Sequence, residues 1–292
     1  MKKTFFPEEF IEKYSTLLGN EWNKFLETIK QKQPKSVWIN TNKLGASIVH
    51  KKLSEKDIVF KKYIFSDQAF EIEMEKPGDL ELFKRGKISL QEKAAMLPVI
   101  ALAPTKDDYC LDACAAPGMK TIQLSNLAGK VKAVDVNSER IKSLIHNKGK
   151  YALHNVKVER TDVRNIKEKF DKIVLDAPCS SEGLVRKKRN ALKGWSMEIV
   201  QRKSELQKEL ITHCFDLLKE GGEMVYATCS FAPEENEEVV LHLLKDRKNA
   251  KIIPIKLTGI KIRENKLCAH CVRLYPQDNN TQQFFLAKIK KD

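Results

Sequence analysis

The sequence has 292 residues, of which 42% are hydrophobic, enough for one large domain or two ordinary ones and too many for a disordered chain. Lys and Arg number 53 against 39 Asp and Glu, a net charge of +14, which favours a polyanionic partner. A Lys- and Glu-rich solvated surface, typical of proteins from hot environments, is the alternative. No apolar run approaches the roughly 20 residues of a membrane span, and the N-terminal segment lacks the apolar stretch of a signal peptide. We therefore expect a cytoplasmic protein without a membrane partner.

The first 78 residues predict a small basic α/β domain that binds RNA. Hydrophobic residues recur at helical spacing over residues 7–30, which predicts one helix beginning at Pro7. Strands are expected at residues 36–40, 59–63 and 69–74. The Pro77-Gly78 turn places the boundary between residues 1–78 and 79–292. The lysines of this segment include Lys30, Lys32, Lys35, Lys43, Lys51, Lys52, Lys61 and Lys62.

From about residue 108 short apolar strands alternate with amphipathic helices, which predicts a mostly parallel, doubly wound α/β sheet. Two later candidates are expected to form an antiparallel edge. The expected strands are 109–112, 131–136, 156–161, 172–176, 223–228, 271–274 and 284–289. The expected helices are 119–127, 139–148, 204–219 and 234–244.

Five strand ends carry hydrogen-bonding or reactive side chains: Asp112, Asp135, Asp162, Asp176 and Cys229. Ligands of such sheets bind at the carboxyl ends of the strands. Four acids in this position together indicate a binding site, although one alone would mean little.

The first strand runs into a loop of small residues that opens a helix, and small residues let the backbone approach a ligand closely. Neither a phosphate-binding P-loop nor a dinucleotide fingerprint is present. Asp135 is placed to accept both hydroxyls of a ribose, and Asp162 to accept an adenine amino group. These features together predict S-adenosylmethionine as the cofactor. The predicted cofactor-binding residues are Cys114, Ala115, Ala116, Pro117, Gly118, Met119, Lys120, Asp135, Arg140, Asp162 and Asp176.

Two segments decide the chemistry: Asp176-Ala177-Pro178-Cys179-Ser180 and Thr228-Cys229-Ser230. Each places a Cys just past a buried strand at the edge that carries the cofactor loop. An isolated Cys is usually a small buried hydrophobe. Two of them at neighbouring strand ends predict reactive thiols. The seven cysteines are an odd number, which argues against a disulfide framework and fits a reducing compartment.

The sequence resembles the Sun/Fmu-type RNA (cytosine-5) methyltransferases. The resemblance rests on the motif of residues 112–121, on the two Cys segments, and on Gln91-Glu92-Lys93-Ala94-Ala95-Met96 and Arg273-Leu274-Tyr275-Pro276. It covers roughly residues 80–290. Residues 281–285 depart from the family pattern, which usually has Asp-Gly before the aromatic pair, and we expect no C-terminal RNA-binding extension, so that target selection would depend on the N-terminal segment.

The resemblance implies a Rossmann-like class I methyltransferase fold, with Cys229 as the nucleophile that adds to carbon 6 of cytosine. It implies that Asp176 holds ring nitrogen 3, that Cys179 assists product release and that Lys120 orients Asp176 or the thiolate. No metal is expected. The favoured substrate is transfer RNA, as in the archaeal enzymes of this family. Alternatives are ribosomal RNA, a non-catalytic RNA-binding assembly factor, and DNA-type chemistry in which Cys179 attacks.

Two further segments carry predictions. Arg186-Lys187-Lys188-Arg189 and nearby Trp195 predict a phosphate-gripping loop with a stacking aromatic side chain. Cys268-Ala269-His270-Cys271 is a single pair without a partner pair at metal-site spacing, so we expect structural cysteines there. Cys110 and Cys214 are expected in the core.

Overall fold

The computed structural model describes residues 6–187, 190–263 and 265–292. The N-terminal region begins with two helices, α1 (Glu8–Leu18) and α2 (Trp22–Lys30), joined by a short 3₁₀ turn. The prediction of one continuous helix over residues 7–30 is wrong, because Gly19 adopts a positive φ of 50° at the end of α1. Glycine tolerates this conformation without a steric penalty, so the chain turns at this point.

A four-stranded antiparallel sheet follows, in the order β2-β3-β1-β4. Because β4 pairs with β1 from beyond residue 78, this sheet ends later than the predicted domain boundary. The apolar side of α3 packs against the sheet through Val49 and Leu53. The elements are β1 (Lys35–Ile39), α3 (Ala46–Ser54), β2 (Phe60–Lys62), β3 (Ala69–Ile72), α4 (Glu81–Lys84) and β4 (Ile88–Leu90).

The rest of the chain forms an eight-stranded sheet with helices on both faces. Its elements are α5 (Lys93–Leu102), β5 (Tyr109–Asp112), α6 (Met119–Leu127), β6 (Lys130–Asp135), α7 (Ser138–Lys150), β7 (Val156–Arg160), β8 (Phe170–Asp176), α8 (Met197–Asp216), β9 (Leu218–Thr228), α9 (Glu237–Asp246), β10 (Ala250–Ile253), β11 (Val272–Leu274), α10 (Pro276–Asn279) and β12 (Phe284–Lys291). Over the described residues, no helix combines the length and apolar character needed to cross a membrane.

The strand order β10-β12-β9-β8-β5-β6-β7 confirms the predicted sheet. Strands β5 to β9 are parallel, and β12 adds to β9 in the antiparallel direction. One hydrophobic cluster joins this sheet to α5, α6 and α7, and a second joins its other face to α8 and α9. The antiparallel pair of β11 and β12 was expected, whereas β10 was not.

The two N-terminal helices pack against the segments that follow β8 and β9 rather than against the small sheet. Phe10, Tyr14 and Phe25 are fully buried with Trp195 and Phe231 in one aromatic cluster. The ring centroids of Phe10 and Trp195 lie 5.4 Å apart at an interplanar angle of 81°, the edge-to-face arrangement that aromatic pairs favour. The N-terminal region therefore braces the part of the chain that carries the second half of the predicted site.

Candidate active site

The carboxyl ends of the parallel strands meet at one edge, where a cavity of about 740 Å³ opens. Asp112, Asp135 and Asp176 are the last residues of β5, β6 and β8. Asp162 and Cys229 follow β7 and β9 within two residues. The sequence-predicted side chains that line this cavity are Cys114, Pro117, Lys120, Asp135, Arg140, Asp162, Asp176, Cys179 and Cys229.

The two predicted catalytic thiols lie in contact. Sγ of Cys179 is 3.2 Å from Sγ of Cys229, and both cysteines are free and partly buried. The hydrogen bond with Cys179 and then burial hold the pKa of Cys229 well above that of an ordinary thiol, while Lys120 acts in the opposite direction. The surroundings of Cys229 therefore oppose its ionisation, and the Lys120 cation favours it.

Lys120 and Asp176 form an ion pair beside the thiols, with Nζ 2.6 Å from Oδ2. The lysine side chain is 10% exposed and the aspartate side chain 34% exposed, so the carboxylate faces the cavity. Oδ1 of Asp176 receives no hydrogen bond from the described part of the chain. A buried cation thus fixes one carboxylate oxygen and leaves the other available to a ligand.

At the other end of the cavity lie two acids, Asp135 and Asp162, whose carboxylates accept hydrogen bonds from backbone N–H groups. Asp135 is 5% exposed and accepts hydrogen bonds from the backbone N–H of Ala116 at 3.1 Å and of Asn137 at 2.9 Å. Arg140 lies 3.6 Å from Asp135 and also donates to the carbonyl oxygen of Ala116. Asp162 is held by Arg164, which lowers the pKa of its carboxyl.

The small-residue loop between β5 and α6 divides its residues between two cavities. Cys114 and Pro117 line both the large cavity and an adjoining one of about 210 Å³, while Ala115, Ala116 and Met119 line only the smaller cavity. Gly118 has a φ of 106°, and a Cβ there would lie 2.5 Å from Cδ1 of Leu144. Gly118 lines neither cavity. Because it has no side chain, it allows α6 to begin close against α7.

Comparisons with known proteins agree with this geometry. The family model described as 16S rRNA methyltransferase RsmB/F matches residues 99–290. This chain belongs to that family. It is 32% identical to ribosomal RNA small subunit methyltransferase F of Vibrio parahaemolyticus, over 98% of this chain and 63% of that protein. The chain therefore spans less than two thirds of the length of that curated relative.

Two archaeal proteins are also similar. The tRNA (cytosine(49)-C(5))-methyltransferase of Pyrococcus abyssi is 37% identical over 73% of this chain and 73% of its own length. The crystal structure of a methyltransferase homolog protein from Pyrococcus horikoshii superposes with a TM-score of 0.87 at 29% identity, covering 98% of this chain and 96% of that one. The Rossmann-like class I methyltransferase fold is confirmed.

The cofactor is S-adenosylmethionine, and the residues present fit it. The cavity volume lies within the roughly 300–1,000 Å³ typical of small-molecule sites. Asp135 and Asp162 place carboxylate oxygens, which can accept hydrogen bonds, in the wall of this cavity. Oδ1 of Asp112 is buried without a partner among the described residues, and burial raises the pKa of this carboxyl to about 6.

Sequence reasoning missed two buried glutamates that hold the two Cys loops together. Glu235 accepts hydrogen bonds from the backbone N–H of Ser180 at 2.9 Å and from Oγ of Ser230 at 2.8 Å. Glu182 accepts from Oγ of Ser230 at 3.1 Å and from the N–H of Phe231 at 2.7 Å. Both side chains are fully buried. The sequence pattern that could have identified them is an acidic residue shortly after each Cys motif.

The prediction of a phosphate-binding loop is wrong for Arg186 and Trp195, because the structure buries both side chains. Trp195 is 7% exposed, and its Nε1 donates to Glu182 at 2.6 Å. Arg186 is 8% exposed and donates to the carbonyl oxygens of Gln31 and Lys32. Both side chains are buried because they pack against the N-terminal region. Lys188 and Arg189 lie outside the described residues.

The remaining cysteines occupy the interior. Cys110 and Cys214 are completely buried, which confirms their predicted place in the core. Cys268 and Cys271 are also buried, and their sulfur atoms lie 3.1 Å apart. Within the described ranges, no group of three or more potential ligands could hold a metal ion.

Proposed function

We propose that this protein methylates carbon 5 of cytosine in RNA, with Cys229 as a covalent nucleophile. One observation carries the proposal: two thiols lie 3.2 Å apart beside the Lys120–Asp176 ion pair, in one cavity with the acids that suit the cofactor. A module that only binds RNA has no use for this pair of thiols.

Carbon 5 of cytosine is too weak a nucleophile to accept a methyl group unaided. In the proposed reaction the Cys229 thiolate forms a bond to carbon 6, which makes the ring enamine-like and lets carbon 5 attack. A Ser hydroxyl would stay protonated, whereas a thiol beside a cation reaches a useful thiolate fraction. Lys120 is the cation that opposes the raised pKa of Cys229.

Negative charge builds at ring nitrogen 3 as the Cys229 thiolate adds to carbon 6, and nitrogen 3 takes up the proton that the thiol released, with Asp176 as the group proposed to support this proton transfer. Its free Oδ1 can hold ring nitrogen 3 and support protonation there, while Lys120 keeps the carboxylate in place through Oδ2. A group fixed in advance stabilises developing charge without reorganisation. Lys120 is therefore proposed as a positioning residue for Asp176.

Release of the product requires loss of the carbon 5 proton and cleavage of the bond between Cys229 and carbon 6. Cys179 is proposed to assist this elimination by accepting the carbon 5 proton, because its sulfur lies 3.2 Å from the attacking sulfur and would thus lie close to the carbon 5–carbon 6 bond. The reversed assignment, with Cys179 as the nucleophile, follows the DNA-type logic and predicts the opposite mutant behaviour.

S-adenosylmethionine supplies the methyl group when it is bound. We propose that Asp135 accepts the ribose hydroxyls and Asp162 accepts the adenine amino group. Arg140 would fix the Asp135 carboxylate and the Ala116 carbonyl on one side. Asp176, which lines the same cavity, would lie between the cofactor and the target base.

Transfer RNA is the first candidate substrate and small-subunit ribosomal RNA the second. The first is supported by the higher identity to the Pyrococcus abyssi tRNA enzyme, 37%, which covers equal shares of both chains. The second is supported by the Vibrio rRNA enzyme, which matches 98% of this chain. A cytoplasmic location is proposed for either substrate, because two thiols in contact require a reducing compartment.

The proposal is tested by bisulfite sequencing of total RNA treated with the purified protein and S-adenosylmethionine, with Cys229→Ala as the control. We expect new 5-methylcytosine at a defined position of transfer RNA, absent with the variant. Signal confined to ribosomal RNA would select the second candidate. RNA binding without methylation of any RNA would identify a non-catalytic binding protein instead.

A further inference from the structure

A second cleft, about 550 Å³ in volume, lies beside the catalytic cavities. Its walls come from the segment before β1, the turn at residues 75–78, the residues that follow β4, and the end of the Cys179 loop. We call it the basic cleft. Its charged lining residues are five cations and two acids: Lys32, Lys35, Lys76, Arg186 and Lys187 against Glu75 and Glu92.

The basic cleft adjoins the active site through shared walls. Residues 90–92 and Lys187 line both the basic cleft and the cavity of about 210 Å³. That smaller cavity shares Cys114, Lys120 and Asp176 with the main cavity. A chain that places one unit against Asp176 can therefore continue into the basic cleft.

Four lysines of the basic cleft have no ionic partner. Within residues 6–187, 190–263 and 265–292, none of Lys32, Lys35, Lys76 and Lys187 forms an ion pair. Lys43, which lies outside the basic cleft, donates to the carbonyl oxygens of Arg85 and Lys150. Unpaired cations gathered in a concavity favour a phosphate ligand.

Arg186 adds to this positive potential from the wall of the basic cleft. It donates to the carbonyl oxygens of Gln31, Lys32 and Thr281 and to Oδ1 of Asn280, all neutral acceptors. A buried guanidinium without a carboxylate partner leaves its charge uncompensated. The acid nearest to it, Glu92, instead accepts backbone N–H groups at the start of α5.

We propose that the basic cleft binds the segment of substrate RNA that adjoins the target cytosine, through its phosphates and one base. This inference rests on the proposed function and extends it to a second subsite. Pro34, Pro77 and Leu90 supply apolar surface for a base between the lysines. The direct continuation into the catalytic cavity favours a polynucleotide over a free anion.

The test uses two oligoribonucleotides built around one central cytosine, one short and one extended on both sides. Lys35→Ala/Lys76→Ala removes two cations of the basic cleft, and Lys245→Ala/Lys248→Ala removes two exposed lysines at the end of α9 as a matched control. Binding is measured by fluorescence anisotropy over a range of salt concentrations. For the extended RNA, we expect the cleft variant to bind about tenfold more weakly than the wild type. Its log–log salt slope should be shallower by about 1.4, and the control and the short RNA should show no change.

Equal affinities of the cleft variant and the control for the extended RNA would overturn the inference. An equal loss on both RNAs would also overturn it, because the lysines would then act on the target nucleotide and not on its neighbours. Bisulfite sequencing of wild-type reactions separates the two proposals. If no RNA is methylated yet the cleft variant loses length-dependent binding, the proposed function fails and RNA binding in the basic cleft stands.

Discussion

Cys179 and Cys229 are chemically alike, but their removal should have opposite consequences. Cys229→Ala removes the attacking group, so neither a covalent protein–RNA adduct nor methylated RNA should form. Cys179→Ala leaves attack and methyl transfer intact and slows elimination, so the adduct should accumulate. The measurement is a slow-migrating band on a denaturing gel, together with methyl incorporation.

The double variant of both cysteines is the control, and it should show no band because trapping requires attack. The reverse pattern, with adduct in Cys229→Ala only, would assign the attack to Cys179. If both single variants methylate RNA normally, the covalent mechanism is wrong.

Asp112 should lower the stability of the fold at neutral pH. Burial raises the pKa of this carboxyl to about 6 from a usual value near 3.8, so the folded state binds the proton more tightly than the unfolded state. Its contribution is therefore most favourable below pH 4 and is lost as the pH rises towards 6. Asp112→Asn should then raise the free energy of unfolding by roughly 3 kcal/mol above pH 6 and change it little below pH 4.

Urea unfolding at several pH values, without cofactor, measures this effect. Asn keeps an acceptor for the hydroxyl of Thr121, which donates to Asp112 at 2.7 Å. The exposed Asp107 supplies the control: Asp107→Asn should stay within about 0.5 kcal/mol of the wild type at every pH. A pH-independent difference for Asp112→Asn would show that its charge is not the cause.

At the scale of elements, the loops after β8 and β9 are useful only if they keep the two thiols in contact. Glu182 connects them to the N-terminal helix α1, since it accepts from the Tyr14 hydroxyl at 2.7 Å and from Phe231 N–H at 2.7 Å. Glu182→Gln replaces one carboxylate oxygen with an amide N–H group, which would face the hydrogen-bond donors that Glu182 now accepts from. The two loops should shift as a result, and kcat should fall clearly. The affinity for S-adenosylmethionine should hold, because Glu182 does not line the cofactor cavity.

Kinetics and calorimetric cofactor titration check this prediction, and Tyr14→Phe gives a graded comparison with only one donor lost. Removing that donor should cost about 1–3 kcal/mol of stability and lower kcat less than Glu182→Gln. Glu198→Gln, at an exposed position of α8, is the control. A parallel loss of cofactor affinity in Glu182→Gln would indicate general unfolding instead of displaced loops.

The elements also show where sequence patterns are informative. Strand β5 and helix α6 were predicted with the bounds that the structure has, because alternation of apolar strands and amphipathic helices is a local signal. The burial of Trp195 was not predictable, since it depends on a helix some 180 residues earlier that supplies Phe10 and Tyr14. Likewise β4 is only three residues long and gains its place by pairing with β1. Contacts with residues that are distant in the sequence therefore determine both the burial of Trp195 and the position of β4.

At the scale of the whole molecule, the small sheet and the large sheet share buried polar contacts. Nε1 of Trp38 donates to Oδ1 of Asn126 at 2.9 Å, and Nδ2 of Asn126 donates to Oδ1 of Asn40 at 2.8 Å. Nδ2 of Asn40 donates in turn to the carbonyl oxygen of Tyr151 at 2.8 Å. Trp38 and Ala69 of the small sheet also belong to the hydrophobic cluster under the large one. The two halves are thus joined by a common interior.

A shared interior predicts that the protein unfolds as one unit. Calorimetry should show a single transition with equal calorimetric and van't Hoff enthalpies. Asn40→Ala should lower Tm while keeping one transition, because it leaves the Tyr151 carbonyl and the Asn126 amide unpaired at about 1–3 kcal/mol for each group. The exposed Asn249, whose amide reaches Asp292 at the far edge of the large sheet, provides the control, and Asn249→Ala should leave Tm nearly unchanged. Two separate transitions, in the wild type or in Asn40→Ala, would mean that the small sheet is an independent domain and that the basic cleft lies at a boundary that can open.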